Sequence, residues 1–188
     1  MEATRKAVAS FFAFVAATAF ATRADAVEHE HHFGIDAGGS MLVVNNKSSP
    51  DVGGGFGLHY TYGLSDAFNL MAESAFSVIA LGDQSNGGMA PNTFPTWIGN
   101  ADVGVAYVLD VLQFVPYGGL LAGGYALGGG TIPGTRVLPG FEIALGLDWR
   151  LGRSFSIGGA FRQHMMTDVG NYPSFTQFFA RFEYTWGW

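Results

Sequence analysis

FARFEYTWGW, residues 179–188, places Phe182, Tyr184, Trp186 and Trp188 on alternate positions, with Arg181, Glu183, Thr185 and Gly187 between them. Successive side chains of an extended strand point to opposite faces. One face of this segment is therefore four large aromatics, and the other an arginine, a glutamate and small residues. Something apolar must cover the aromatic face, either the inside of a protein or the hydrocarbon of a membrane.

The same alternation recurs seven times upstream. FGIDAGGSMLVV (33–44) sets Phe33, Ile35, Ala37, Met41 and Val43 against Asp36 and Ser40, and GFGLHYTYGL (55–64) sets Phe56, Leu58, Tyr60 and Tyr62 against His59 and Thr61. FNLMAESAFSVIAL (68–81) has Asn69 and Glu73 opposite its apolar face, and NADVGVAYVLD (100–110) has Asn100 and Asp102. FEIALGLDW (141–149) opposes Phe141, Ile143, Leu145, Leu147 and Trp149 to Glu142, Ala144, Gly146 and Asp148. SFSIGGAFRQH (154–164) opposes Phe155, Ile157 and Phe161 to Arg162 and His164. In FVPYGGLLAGGY (114–125), Val115, Tyr117, Leu121 and Tyr125 share the apolar face, opposite glycines, Pro116 and Ala122. Eight segments of about ten residues suit tilted strands that cross a bilayer.

The connections alternate in length. LSDA (64–67), DVLQ (110–113) and LGR (151–153) are tight, whereas NNKSSPD (45–51), GDQSNGGMAPNTFPT (82–96), LGGGTIPGTR (127–136) and TDVGNYPS (167–174) are long and rich in turn residues. An even number of strands joined by alternating short and long links predicts an eight-stranded antiparallel up-and-down transmembrane β-barrel.

Composition agrees. Arg5 and Lys6 precede the uncharged run AVASFFAFVAATAFA (7–21), and ATRADA follows, the layout of a cleavable signal peptide over residues 1–26, with Ala19-Phe20-Ala21 as a second cleavage site. The predicted barrel domain is 27–188. Without Glu2, Arg5, Lys6, Arg23 and Asp25 it keeps six basic and thirteen acidic residues, a net charge of −7, which argues against a nucleic-acid partner. The chain has no cysteine, so no disulfide contributes. Hydrophobic residues make up 48% and charged ones only 13%, against about 25% charged in ordinary soluble domains. No stretch after residue 26 is long and apolar enough for a spanning helix. A closed barrel is the other structure that satisfies its backbone in lipid.

A soluble lipocalin-like barrel would reverse the faces and put the aromatics inside. Its exterior would then need to be about a quarter or more Lys, Arg, Glu and Asp. The polar face here is mainly Gly, Ala, Ser and Asn, with isolated charges, and only one lysine, Lys47, follows the leader. That face suits a crowded lumen, which is expected to enclose Asp36, His59, Glu73, Asp102, Glu142, Asp148, Arg162, His164, Arg181 and Glu183 as an ion-pair network.

The terminal FEYTWGW resembles the C-terminal aromatic signal of small eight-stranded outer-membrane β-barrels. The whole mature chain is similar to that family, which includes the membrane domain of outer-membrane protein A and outer-membrane protein X. Many members end in Phe, whereas this chain ends in Trp188. The resemblance implies a monomer in a Gram-negative outer membrane, in contact with its lipids and lipopolysaccharide. It further implies that Phe182, Tyr184, Trp186 and Trp188 are read by the barrel-assembly machinery, and it implies no cofactor. Loops on such a scaffold can bind external partners. Lipid A deacylases share the architecture and use a His-x-Ser pair, but FRQHMMTD (161–168) has Met166 where that serine would stand, so no catalytic residues are assigned. EHEHH (28–32) offers imidazoles and carboxylates for a metal, but no second ligand set accompanies it, and it reads as a solvated tail. GGGFG (53–57) and GGGTIPG (128–134) lack the following helix that a phosphate loop needs.

Overall fold

Strict alternation leaves each strand with one face to bury, and eight such strands bury it against one another. The computed structural model describes residues 29–45, 49–80, 94–110 and 113–187. The strands are β1 His31–Val43, β2 Asp51–Gly63, β3 Phe68–Ile79, β4 Trp97–Val108, β5 Phe114–Gly129, β6 Ile132–Arg150, β7 Phe155–Met166 and β8 Ser174–Trp186. Each pairs antiparallel with its neighbours in sequence, and β8 returns to β1 to close the barrel. Closure leaves no unpaired strand edge. The predicted signal peptide, Glu28 and Trp188 lie outside the described residues.

The outward face is apolar along its whole height. Leu58, Leu70, Val105, Leu120, Leu145 and Leu147 are exposed, as are Phe33, Ile35 and Ile157. Aromatics gather at the two ends of this belt. Toward the tight turns, Phe68 packs edge-on to Tyr107, Phe114 stacks on Trp149, and Tyr184 stacks on Trp186. Toward the long links, Phe76 stacks on Trp97 and Phe161 meets Phe178.

Two expectations need correction. The segment 127–136 is not an irregular loop: β5 runs to Gly129, β6 begins at Ile132, and the two strands continue as one long hairpin. Gly129 and Gly130 turn it with φ of 72° and 59°, a region closed to most side chains, so glycine there makes the tight turn possible. The second correction concerns β5, whose apolar face points inward. Val115, Tyr117, Leu121 and Tyr125 are buried, whereas Phe114 and Leu120 face out. Register is the reason. Asn100 lies opposite Tyr125 and Asp102 opposite Gly123, and directly opposed residues share a face. Once Asn100 and Asp102 face the lumen, the β5 tyrosines must follow.

Inside, apolar clusters occupy the lumen around the charged residues. At the loop end Leu42, Ile79, Ile98, Leu127, Met166 and Phe175 pack with Tyr125 and Tyr172. Phe94 joins them from the β3–β4 link, held by the Thr131 backbone N–H donating to its carbonyl (3.0 Å). At the turn end Met71, Val108, Val115, Tyr117 and Leu121 fill one side.

Candidate functional site: the charged lumen

Strand registers bring distant charges to one level. Asp36 of β1 lies opposite Arg181 of β8, His59 of β2 opposite Glu73 of β3, Glu73 opposite Asp102 of β4, and Glu142 of β6 opposite His164 of β7. Glycines on inward positions make room for them. A Cβ at Gly158 would collide with the Asp148 carboxylate, and one at Gly123 with that of Asp102. All ten residues expected in the lumen are buried there.

Arg162 sits at the centre, fully buried. Its Nη2 donates to Asp36 Oδ2 (2.7 Å), Nε lies 2.7 Å from Glu73 Oε2, and Glu142 Oε1 is 3.8 Å away. Arg181 donates to Glu183 Oε2 (3.2 Å) and to the Tyr117 hydroxyl, with Asp36 and Asp148 at 3.6 and 3.7 Å. His59 spans two carboxylates, with Nδ1 3.0 Å from Asp36 Oδ2 and Nε2 2.9 Å from Glu183 Oε2. His164 is separate from this set: its Nε2 meets Gln177 Oε1 at 3.0 Å, and its Nδ1 meets the Tyr125 hydroxyl at 3.1 Å.

The reading of EHEHH as a solvated tail also changes, because β1 starts at His31. His32 is buried and its Nδ1 lies 3.0 Å from Glu183 Oε1. His31 stacks on Trp186 and meets the Tyr60 hydroxyl at 2.7 Å. Just below the barrel, Arg150 lies 2.8 Å from Asp110 and 3.6 Å from Glu30. The neighbouring His32 side chain holds the Glu30 carboxyl below the usual carboxylate range, whereas burial pushes Asp110 up despite its arginine.

Several further lumenal participants carry a signal in the sequence. Gln177 has the parity of Arg181 and Glu183, and Tyr117 and Tyr125 become legible once β5 is inverted. A cavity of about 40 Å³ opens beside His32, Asp148, Arg181 and Glu183 at the turn end. That is room for a few waters, which need roughly 10–15 Å³ each on this measure.

The arrangement offers no hydrolytic centre at the stretch closest to a deacylase motif. Both His164 nitrogens engage Gln177 and Tyr125, while Asp168 pairs with Arg136 (2.6 Å) and accepts from the Asn171 amide. A nucleophile and base need hydrogen-bond reach of each other.

No protein-family profile and no curated protein matches the chain. Solved structures do. The attachment invasion locus protein of Yersinia pestis is 14% identical, with a TM-score of 0.57, over 85% of this chain and all of that one. The N-terminal β-barrel domain of OprF from Pseudomonas aeruginosa is 8% identical at a TM-score of 0.59, over 85% and 98% of the two chains. Neisserial surface protein A is 8% identical at 0.58, over 88% and 100%. The chain has the fold of small eight-stranded outer-membrane β-barrels.

Proposed function

We propose that this protein is an integral outer-membrane barrel with a closed, charge-filled lumen, and that it presents its long-link end as an external binding surface. The observation that carries the reading is the spacing of the outer aromatics. Phe68 and Phe76, Phe141 and Trp149, and Phe178 and Trp186 are each eight residues apart on one strand face. At about 3.4 Å per residue and a tilt near 40°, eight residues rise roughly 21 Å, close to the ~25 Å apolar band of such barrels. Trp and Tyr anchor at the headgroups bounding that band. Lipids and lipopolysaccharide are then the partners of the belt, and the assembly machinery is the reader of Phe182, Tyr184, Trp186 and Trp188. The β5–β6 hairpin rises beyond the belt as a paired, two-stranded projection.

Absence of cysteine makes the test direct. Single cysteines at Leu145, Leu147 or Phe161 should react with a lipid-restricted maleimide in outer-membrane fractions, and cysteines at Glu142, Asp148 or Arg162 should not. The reverse labelling, or a wild-type protein recovered from the periplasm without detergent, would refute the proposal. Purified barrel in planar bilayers should show no steady conductance, because packed side chains occupy the lumen.

A further inference from the structure

Charge is not balanced evenly along the lumen. Toward the turn end Asp36, Asp148 and Glu183 meet Arg181, His32 and His59, and both His59 nitrogens face carboxylate oxygens, which an imidazolium satisfies as a double donor. Toward the loop end Glu73, Asp102 and Glu142 meet one cation, Arg162, which already serves Asp36. None of these three carboxylates is more than 4% exposed. Neither Glu142 oxygen receives a hydrogen bond, and Asp102 accepts the Asn100 amide on Oδ2 (2.8 Å) while its Oδ1 is left without a donor. Buried charge without a partner is strongly unfavourable.

His164 supplies the second observation. Its Nε2 faces the Gln177 carbonyl oxygen, whose amide nitrogen donates to Ser77 Oγ (3.1 Å). An amide oxygen only accepts, so Nε2 carries the hydrogen and the neutral ring keeps its lone pair on Nδ1. That lone pair accepts the Tyr125 hydroxyl at 3.1 Å, and Glu142 Oε2 stands 3.5 Å from the same nitrogen, so a cation placed between His164 and Glu142 takes over the role of the tyrosine hydrogen. Donor atoms of Asp102, Glu142 and His164 all lie within 4.8 Å of one another. The barrel builds this convergence. Glu142 and His164 are direct cross-strand partners, and Asp102 reaches toward them past Gly123, an inward position of β5 that carries no side chain.

We propose that the loop-side half of the lumen is a divalent-cation site, with Asp102, Glu142 and His164 as ligands and Glu73 as a neighbouring counter-charge. Three carboxylates against one guanidinium leave two negative charges, which one divalent ion cancels. One imidazole nitrogen with carboxylate oxygens suits a zinc-class first-row ion better than calcium or magnesium, which take oxygen ligands. Gln177 on the far nitrogen of His164 and Asn100 on Asp102 are the outer hydrogen bonds that orient such ligands. Tetrahedral bonds of about 2.0–2.2 Å set ligand atoms roughly 3.4 Å apart, so donor atoms up to 4.8 Å from one another close by as much as roughly 1.4 Å when the ion binds. The ion ties β4, β6 and β7 together beneath the apolar plug.

The rival occupant is a pair of protons shared among the carboxylates, and metal counting separates the two. Full-length chain is refolded from urea into detergent with EDTA, or with equimolar zinc, manganese or calcium, then desalted and analysed by inductively coupled plasma mass spectrometry. Every sample carries His29→Gln and His31→Gln to remove the amino-terminal imidazoles. Heat-modifiable gel migration reports folding independently of metal content. The expected result is one zinc per folded barrel, little calcium, and a higher unfolding temperature with zinc. Glu142→Gln and His164→Gln should fold yet retain less than a tenth of an equivalent, and Asp168→Asn should bind as the parent does. Glu142→Gln removes a buried negative charge, so it should fold in EDTA at least as well as the parent. A folded parent that holds no zinc, or a Glu142→Gln barrel that keeps it, overturns the proposal.

Discussion

Leu145→Arg measures which solvent the outer belt meets. Leu145 is about half exposed on the outward face of β6, five residues from the strand's end at Arg150. At about 3.4 Å per residue and a tilt near 40°, it stands roughly 13 Å above that end, near the middle of a ~25 Å apolar band. Arginine at the midplane of such a barrel costs about 2–4 kcal/mol, which is roughly a 30- to 700-fold loss in the folding equilibrium. Val137 gives the control on the same strand and face, 70% exposed. It stands roughly 34 Å above Arg150, beyond the band, where arginine costs about 0–1 kcal/mol. The assay is reversible denaturant unfolding in phospholipid vesicles, followed by tryptophan fluorescence and by heat-modifiable migration. The gradient between the two positions is the signature of lipid. On a water-exposed exterior both substitutions would fall within about 0.5 kcal/mol of wild type, and equal costs at the two sites would refute the reasoning.

Two further perturbations probe closure and the lumen. Deleting Trp186–Trp188 should abolish insertion, read as loss of the heat-modifiable band and of protease protection in outer-membrane fractions, because β8 pairs with β1 through Trp186 and His31 and an open edge leaves backbone groups unpaired in hydrocarbon. Arg162→Met should cost about 3–5 kcal/mol in EDTA, since it strands Glu73 and Glu142 without their shared cation and leaves Asp36 to His59 and Arg181 alone. Adding Glu73→Gln should recover part of that loss in a double-mutant cycle, and strict additivity would mean the two do not interact.

The barrel was legible because seven of its strands oppose charged or polar residues to aliphatic and aromatic ones. β6 shows the extreme, with Glu142 and Asp148 framing Leu145 and Leu147. β5 carries no charge on either face, so its period identified a strand but not its orientation, and only pairing with Asn100 and Asp102 decides it. The hairpin tip failed for a related reason. GGGTIPG contains the residues of an irregular loop, yet two of its glycines serve a tight turn between strands that keep pairing. His32 was missed because the terminal EHEHH resembles a solvated tail in composition. Its parity with Asp36 becomes meaningful only when β1 is known to begin at His31.

The lumen shows where sequence reasoning stops. Alternation identifies which charges turn inward, but it cannot pair them, because two of the central contacts join residues more than a hundred positions apart: Arg162 bonds Asp36, and His59 bonds Glu183. Counting the ten predicted residues gives six carboxylates against two arginines and two histidines, an excess that could have been spread uniformly. Register divides it instead. Asp36, lying opposite Arg181, and Glu183, spanned by His32 and His59, fall in a half where cations match anions. Glu73 lies opposite Asp102, and Glu142 opposite a histidine that donates elsewhere, so the remaining negative charge collects at one level. Slipping β3, β4, β6 or β7 by two residues would keep every side chain on its face and preserve the total charge, yet disperse that cluster. The site is therefore a property of the register, and the register follows from closing eight strands into one ring.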